Sequence, residues 1–265
     1  MKVLRLLGIL VILAAVLAGT WLGYVRWQER VRQKSGSLET VVAKPRKTAS
    51  DLVVTADAEL VEADAFRKEI RGLAREQNWA ALDARAEELR KNKARFSGGA
   101  WKIRHFYESV NPYPSLAPWV EASRRWMLQR PQSITAHVAH ADALVGYAWA
   151  ARAEPDAKKM SPEVAKLLKD QLDEAWGVLE KAKAFPEKDP YWWSVALTAA
   201  ANLDSERERY DQLFDEAIAV EPGFFPYYFQ KARYLLPRSH GKAGEWEQFA
   251  AEAAQKPGGP GKEVY

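Results

Sequence analysis

Beyond Leu60 the apolar residues recur with the period of a helix, with no convincing alternation of the kind a strand needs, and this constrains the chain more than any other feature. Proline, glycine and capping residues interrupt the pattern every 12 to 25 residues, so the segments between them have the length of ordinary helices. The clearest begins at Ser161, an N-cap followed by Pro162 at the first helical position. It places Val164, Leu168, Leu172, Ala175, Leu179 and Ala182 on one stripe and charges on the other. Asp189 and Pro190 repeat the cap-and-proline signal before "YWWSVALTAAANL", and Asp204 opens "SERERYDQLFDEAIAV", which ends at Glu221, Pro222 and Gly223. The body is therefore expected to be all-α.

Helices bounded in this way pair into hairpins. The expected pairs are Glu62 to Arg95; Trp101 to Arg130; Ile134 to Ala153 with Ser161 to Ala184; the two helices from Asp189 to Val220; and Phe225 to Leu236 with Ala243 to Gln255. The fourth pair resembles a tetratricopeptide repeat, with Leu197, Phe214 and Ala217 on its leucine, aromatic and small positions and Pro222 as its terminal proline. The resemblance implies hairpins stacked as a right-handed α-solenoid, each burying its neighbour's apolar face. "FSGGAWKIRHFYE", "RPQSITAHVAHADALVGYAWAAR", "DPYWW", "EPGFFPYY" and "LLPRSHGKAGEWEQFA" together are similar to a bacterial family labelled domain of unknown function 4034, over roughly Phe66 to Ala254. That resemblance implies a helical-repeat fold and a bacterial source, and no established activity.

The N-terminal segment is different in kind. Residues 6–25, "LLGILVILAAVLAGTWLGYV", carry no charge over the ~20 residues a helix needs to cross a bilayer. Trp21 and Tyr24 stand where interfacial anchors stand, and Arg26, Arg30, Arg32 and Lys34 follow. The segment is expected to be an uncleaved signal-anchor, residues 1–26, in the bacterial inner membrane. Val16, Leu17 and Ala18 also form a small-residue cleavage site, so removal as a signal peptide is the alternative. Residues 27–59 read as a linker, 60–257 as the helical-repeat domain and 258–265 as a tail. The body is placed on the exported side, although the basic residues after the span oppose that orientation.

Charge and composition narrow the function. The first fifty residues hold nine Lys/Arg and two Asp/Glu (+7), leaving thirty basic and thirty-three acidic residues beyond them (−3), which together make the net +4. Such a body lacks the basic stripe that neutralises several phosphates, so no nucleic-acid partner is expected. Without cysteine there are no disulfides, thiolate nucleophiles or Cys-ligated metals.

No catalytic, cofactor or metal constellation is expected. His137 and His140 share a helix face but have no third ligand at the right spacing, and they read as packed or surface histidines. The adjacent carboxylates Glu87 and Glu88, Asp173 and Glu174, and Asp215 and Glu216 read as solvated faces. "SGGAWK", Ser97 to Lys102, reads as a glycine-stopped turn. Eleven tryptophans are many for a helical array, and most are expected to anchor packing. Two aromatic-rich corners and the turn before the last helix offer a recognition patch: Tyr113, Trp119, Trp192, Phe224, Tyr227, Arg238 and His240 are the expected interaction residues. The corresponding function is a membrane-anchored scaffold that binds a protein or peptide. The alternatives are an enzyme using Arg152, Arg238, His240 and Lys242, and a passive spacer.

Overall fold

The computed structural model describes residues 49–111, 116–151, 161–203 and 206–255. The expected membrane span, most of the linker, the C-terminal tail, Tyr113 and Arg152 lie outside the described residues. Two units, Met1–Thr55 and Ala56–Tyr265, divide the chain, and the packing below is that of the second.

Among the described residues there are ten helices and no strand: α1 (Ala49–Arg75), α2 (Trp79–Lys91), α3 (Lys102–Val110), α4 (Leu116–Gln129), α5 (Ile134–Ala151), α6 (Pro162–Lys183), α7 (Pro190–Ala200), α8 (Arg207–Val220), α9 (Pro226–Tyr234) and α10 (Glu245–Gln255). An isolated bridge between Arg95 and Trp101 is the one extended pairing among them. None of these helices is long and apolar enough to cross a membrane. The protein is all-α as its period predicts. α1 begins ten residues before the boundary at which the linker was expected to end.

The sequence signals sit where their chemistry requires. The Ser161 hydroxyl accepts a hydrogen bond from the Val164 amide ahead of Pro162, and the Asp189 carboxylate accepts one from the Tyr191 amide at 2.8 Å ahead of Pro190. Asn78 caps α2 through the Ala81 amide. "SGGAWK" is a turn. The Gly99 amide donates to the Phe96 carbonyl, and Gly99 takes a left-handed conformation that costs other residues a steric penalty.

α5 is apolar nearly all round and lies at the centre, packed against α2, α3, α4, α6 and α7. Ala136, Ala139, Ala141, Ala143 and Ala148 are all buried, and their small side chains let α4 and α6 approach closely on either side. α7 packs on α5, α6, α8 and α9, while α9 packs on α7, α8 and α10. The odd-numbered helices α3, α5, α7 and α9 thus touch in series. The alignment positions Leu197, Phe214 and Ala217 are all buried.

One set of contacts departs from a strictly serial array. The Trp101 indole donates to the Gly223 carbonyl at 2.9 Å, its ring packs on Phe224 with centroids 5.3 Å apart, and Lys93 pairs with Glu221 at 2.7 Å. The α2–α3 connection therefore meets the α8–α9 turn, across 122 residues of sequence. An array in which each hairpin touches only its neighbours does not anticipate this.

Candidate functional site

The apolar centre is crossed by polar groups that the helix period alone would not place there. Arg90, in the last turn of α2, shares a face with Leu82 and Ala86 and is carried inward with them; its side chain retains 6% of its exposure. One guanidinium nitrogen donates to Thr135 Oγ1 of α5 at 2.9 Å and to Asp189 Oδ2 at 2.9 Å. The other two donate to Glu187 Oε1, at 3.0 and 2.7 Å. The Tyr107 hydroxyl of α3 donates to the same Asp189 oxygen at 2.6 Å. Asp189, itself inaccessible to solvent, thereby caps α7 with one oxygen and receives Arg90 and Tyr107 on the other.

Burial opposes the charge on Arg90, but Asp189 and Glu187 outweigh it and hold the guanidinium more firmly protonated than usual. For Tyr107, burial and the Asp189 carboxylate both push the phenol well above its ordinary value, so it stays protonated and donates to Asp189. An ion pair this deep repays its desolvation only when its remaining hydrogen bonds are made, and here they are.

The polar line continues through stacked rings. Tyr107 lies on Tyr191 with centroids 4.5 Å apart and planes 8° from parallel, and the Tyr191 phenol sits beside Asp142 of α5. Asn111, at the end of α3, donates to Asp142 Oδ2 at 3.1 Å. Burial raises the Asp142 carboxyl to about 7; the Asn111 hydrogen bond opposes the rise and the Glu108 carboxylate adds to it.

On the far side of α5, Ser123 Oγ and His140 Nδ1 are 3.1 Å apart, and Glu174 lies 3.9 Å from His140 Nε2. The order of residue types suggests a nucleophile, base and orienting acid. The geometry does not serve that chemistry: Ser123 has no accessible surface and its hydroxyl also reaches the Val120 carbonyl at 3.0 Å. Burial, with Arg124 and His137 adding to it, lowers His140 to about 4, so the ring is neutral at physiological pH. His137 is likewise lowered by burial, and its Nδ1 lies 2.8 Å from the Ser133 carbonyl. Both are packed histidines, as their spacing predicts. No group of three or more metal-binding side chains occurs among the described residues.

An open cleft lies over Arg90. About 420 Å3 in volume, it is walled by the exposed side of α2 (Asp83, Glu87), the α4–α5 turn (Gln129 to Thr135) and Glu187. Arg130 donates to Asp83 at 2.8 Å across its rim.

The expected interaction residues correct the sequence reading. Trp119, Trp192, Phe224 and Tyr227 are buried and offer no docking surface. The Trp192 indole donates to the Leu179 carbonyl and the Tyr227 hydroxyl to the Pro190 carbonyl, at 2.9 and 2.6 Å. Prolines mark the corner at Phe224 and Tyr227 as a turn, but these two rings meet Trp101 and Pro190, both distant in sequence. Arg238 and His240 are exposed, and His240 stacks on Tyr234 with centroids 4.3 Å apart. Neither they nor Lys242 line the cleft, so the residues suggested for an enzyme are not gathered there. Among the described residues, the large aromatic side chains that remain exposed are Trp149, Phe229 and Trp246.

Sequence reasoning missed Arg90 and Asp142. An arginine in register with Leu82 and Ala86 on an apolar stripe was the available signal for the first. Comparison with known proteins adds no identity: no family model, characterised protein or solved structure matches the chain.

Proposed function

We propose that this protein is a helical-repeat scaffold that binds a protein or peptide partner, with its hairpins stacked as a tetratricopeptide-like solenoid. Residues 6–25 would anchor it in a bacterial inner membrane with the body on the exported side. Affiliation with the family labelled domain of unknown function 4034 belongs to the same proposal. The observation that carries the reading is the serial packing of α3, α5, α7 and α9, locked from within by Arg90, Tyr107 and Asp189. A rigid series of helices with an open cleft between hairpins is an arrangement suited to presenting fixed contacts to an extended partner.

Crosslinking in intact cells, followed by identification of captured proteins, tests the reading. A reproducible partner is expected, with capture reduced by exposed substitutions such as Phe229→Ala. No reproducible capture would refute it. A reporter fused after Tyr265 reads the side of the membrane on which the body lies.

A further inference from the structure

The cleft over Arg90 contains binding capacity that the fold does not use. Asp83 spends both oxygens, on Arg130 and on the Ser133 hydroxyl. The Arg90 charge is matched from behind by Asp189, and that of Arg130 by Asp83. Glu87 and Glu187 add two further negative charges, and each keeps acceptor capacity. Glu87 is exposed and makes no ion pair or hydrogen bond among the described residues. Glu187 offers both Arg90 bonds a single oxygen, leaving Oε2 uncommitted among the described residues, and its side chain is 45% exposed. Glu87 lies three residues before Arg90 on α2, hence on the same side of that helix, while Glu187 reaches Arg90 from the turn before α7. Both acids and the buried Arg90 guanidinium line one cleft.

We propose that this cleft receives the cationic head of a lysine or arginine side chain carried by the partner, held between Glu87 and Glu187. The assignment rests on the scaffold reading above and adds the chemistry of the contact. The charged groups at the cleft, Arg90 and Arg130 against Asp83, Glu87, Glu187 and Asp189, sum to −2, so an anion would be repelled and a neutral group would leave that excess in place. A monocation instead extends the alternation Asp189, Arg90, Glu187 by one more opposite charge. The volume, about 420 Å3, falls within the roughly 300–1,000 Å3 of small-ligand sites. Pro131 supplies apolar surface for the side-chain stem, and the exposed amides of Gln129 and Gln132 can bond the flanking peptide backbone.

The test uses the full chain in lipid nanodiscs, labelled at isoleucine and threonine methyl groups so that Ile134 and Thr135 report from the cleft wall. The probes are acetyl-Gly-Lys-Gly-amide, the same peptide with norleucine or glutamate in place of lysine, and n-butylammonium. Saturable shifts at Ile134 and Thr135 are expected with the lysine peptide and not with the norleucine or glutamate peptide. Glu87→Gln and Glu187→Gln should each weaken binding roughly 5-fold, and together at least about 10-fold. The Ile70 and Ile103 methyl signals should stay in place, since glutamine at 187 can still accept from Arg90. Equal shifts from the norleucine peptide, or undiminished lysine binding by the double variant, would overturn the assignment. So would n-butylammonium binding as tightly as the peptide, which would make this a small-amine site. If cells still yield a reproducible partner when the cleft fails these tests, the scaffold stands and only the cation contact falls. If the lysine peptide binds as expected but no partner is captured, it is the scaffold that falls.

Discussion

Two titratable groups of opposite sign, His140 buried and Asp142 nearly so, face opposite ways from α5, and their effects on stability oppose each other between about pH 4 and 6.5. Asp142 is raised to about 7 from its ordinary 3.8, so between these values the native chain holds a proton that the unfolded chain has released. Stability from this group falls as pH rises, by ~1.4 kcal/mol per unit and at most ~4 kcal/mol in all. The partial exposure of Asp142 makes that figure an upper limit. His140 is lowered to about 4 from 6.5, so here the unfolded chain binds the proton that the native chain refuses. Its contribution is complete above 6.5 and is lost as pH falls to 4, by at most ~3 kcal/mol. Asp142→Asn removes one side of this balance while keeping an oxygen to accept from Asn111. The D142N chain is expected to match the parent near pH 4, to gain stability steeply up to pH 6.5, and to exceed the parent by ~2–4 kcal/mol at pH 8. Urea unfolding followed by tryptophan fluorescence at pH 4.5, 6, 7 and 8 measures this as shifts in midpoint. Parallel pH profiles for parent and D142N would refute the argument, because they would mean that Asp142 titrates as an ordinary surface carboxylate.

Other perturbations follow from the same contacts. Arg90→Ala leaves Asp189 charged and buried, and is expected to cost ~3–5 kcal/mol, read as a lowered urea midpoint. Phe224→Ala and Tyr227→Ala should each destabilise the fold by ~3–5 kcal/mol, since both rings are fully buried; a wild-type melting temperature for either would return them to the surface. Trp101→Phe removes the indole bond to the Gly223 carbonyl and leaves a cavity where the larger ring was buried, for an expected loss of ~2–4 kcal/mol in thermal unfolding. A Cβ at Gly241 would fall inside the van der Waals radius of the Leu235 carbonyl oxygen, so Gly241→Ala should lower the melting temperature by more than a surface substitution does.

Local chemistry made the helices legible. Ser161 with Pro162 and Asp189 with Pro190 fix two starts because a capping oxygen and a missing N–H act within one turn of the chain. Burial followed from period for Leu172, Ala175, Leu179 and Ala182, which lie on one stripe. Asp189 shows where such reading stops: its cap to Tyr191 spans two residues and was visible, while its bond to Arg90 spans 99 and was not. The aromatic corners failed for a related reason. Proline places Phe224 and Tyr227 in or beside a turn, but which way a ring leaves that turn depends on Trp101 and Pro190, neither of them local. Asp142 lies two residues from His140, so it leaves α5 on another side. What it points toward, Asn111 and Tyr191, comes from two other helices.

The long span of the Arg90–Asp189 bond also bears on how the chain is made. At ~5–20 residues per second, ribosomal synthesis separates the two residues by roughly 5–20 s, during which Arg90 has no Asp189 to meet. Gly223 reaches Trp101 later still, after 122 residues. The Arg90 and Trp101 contacts of the first hairpins are therefore completed only once α7 and then the α8–α9 turn have been synthesised. Part of the native core therefore depends on residues that leave the ribosome long after the helices they join.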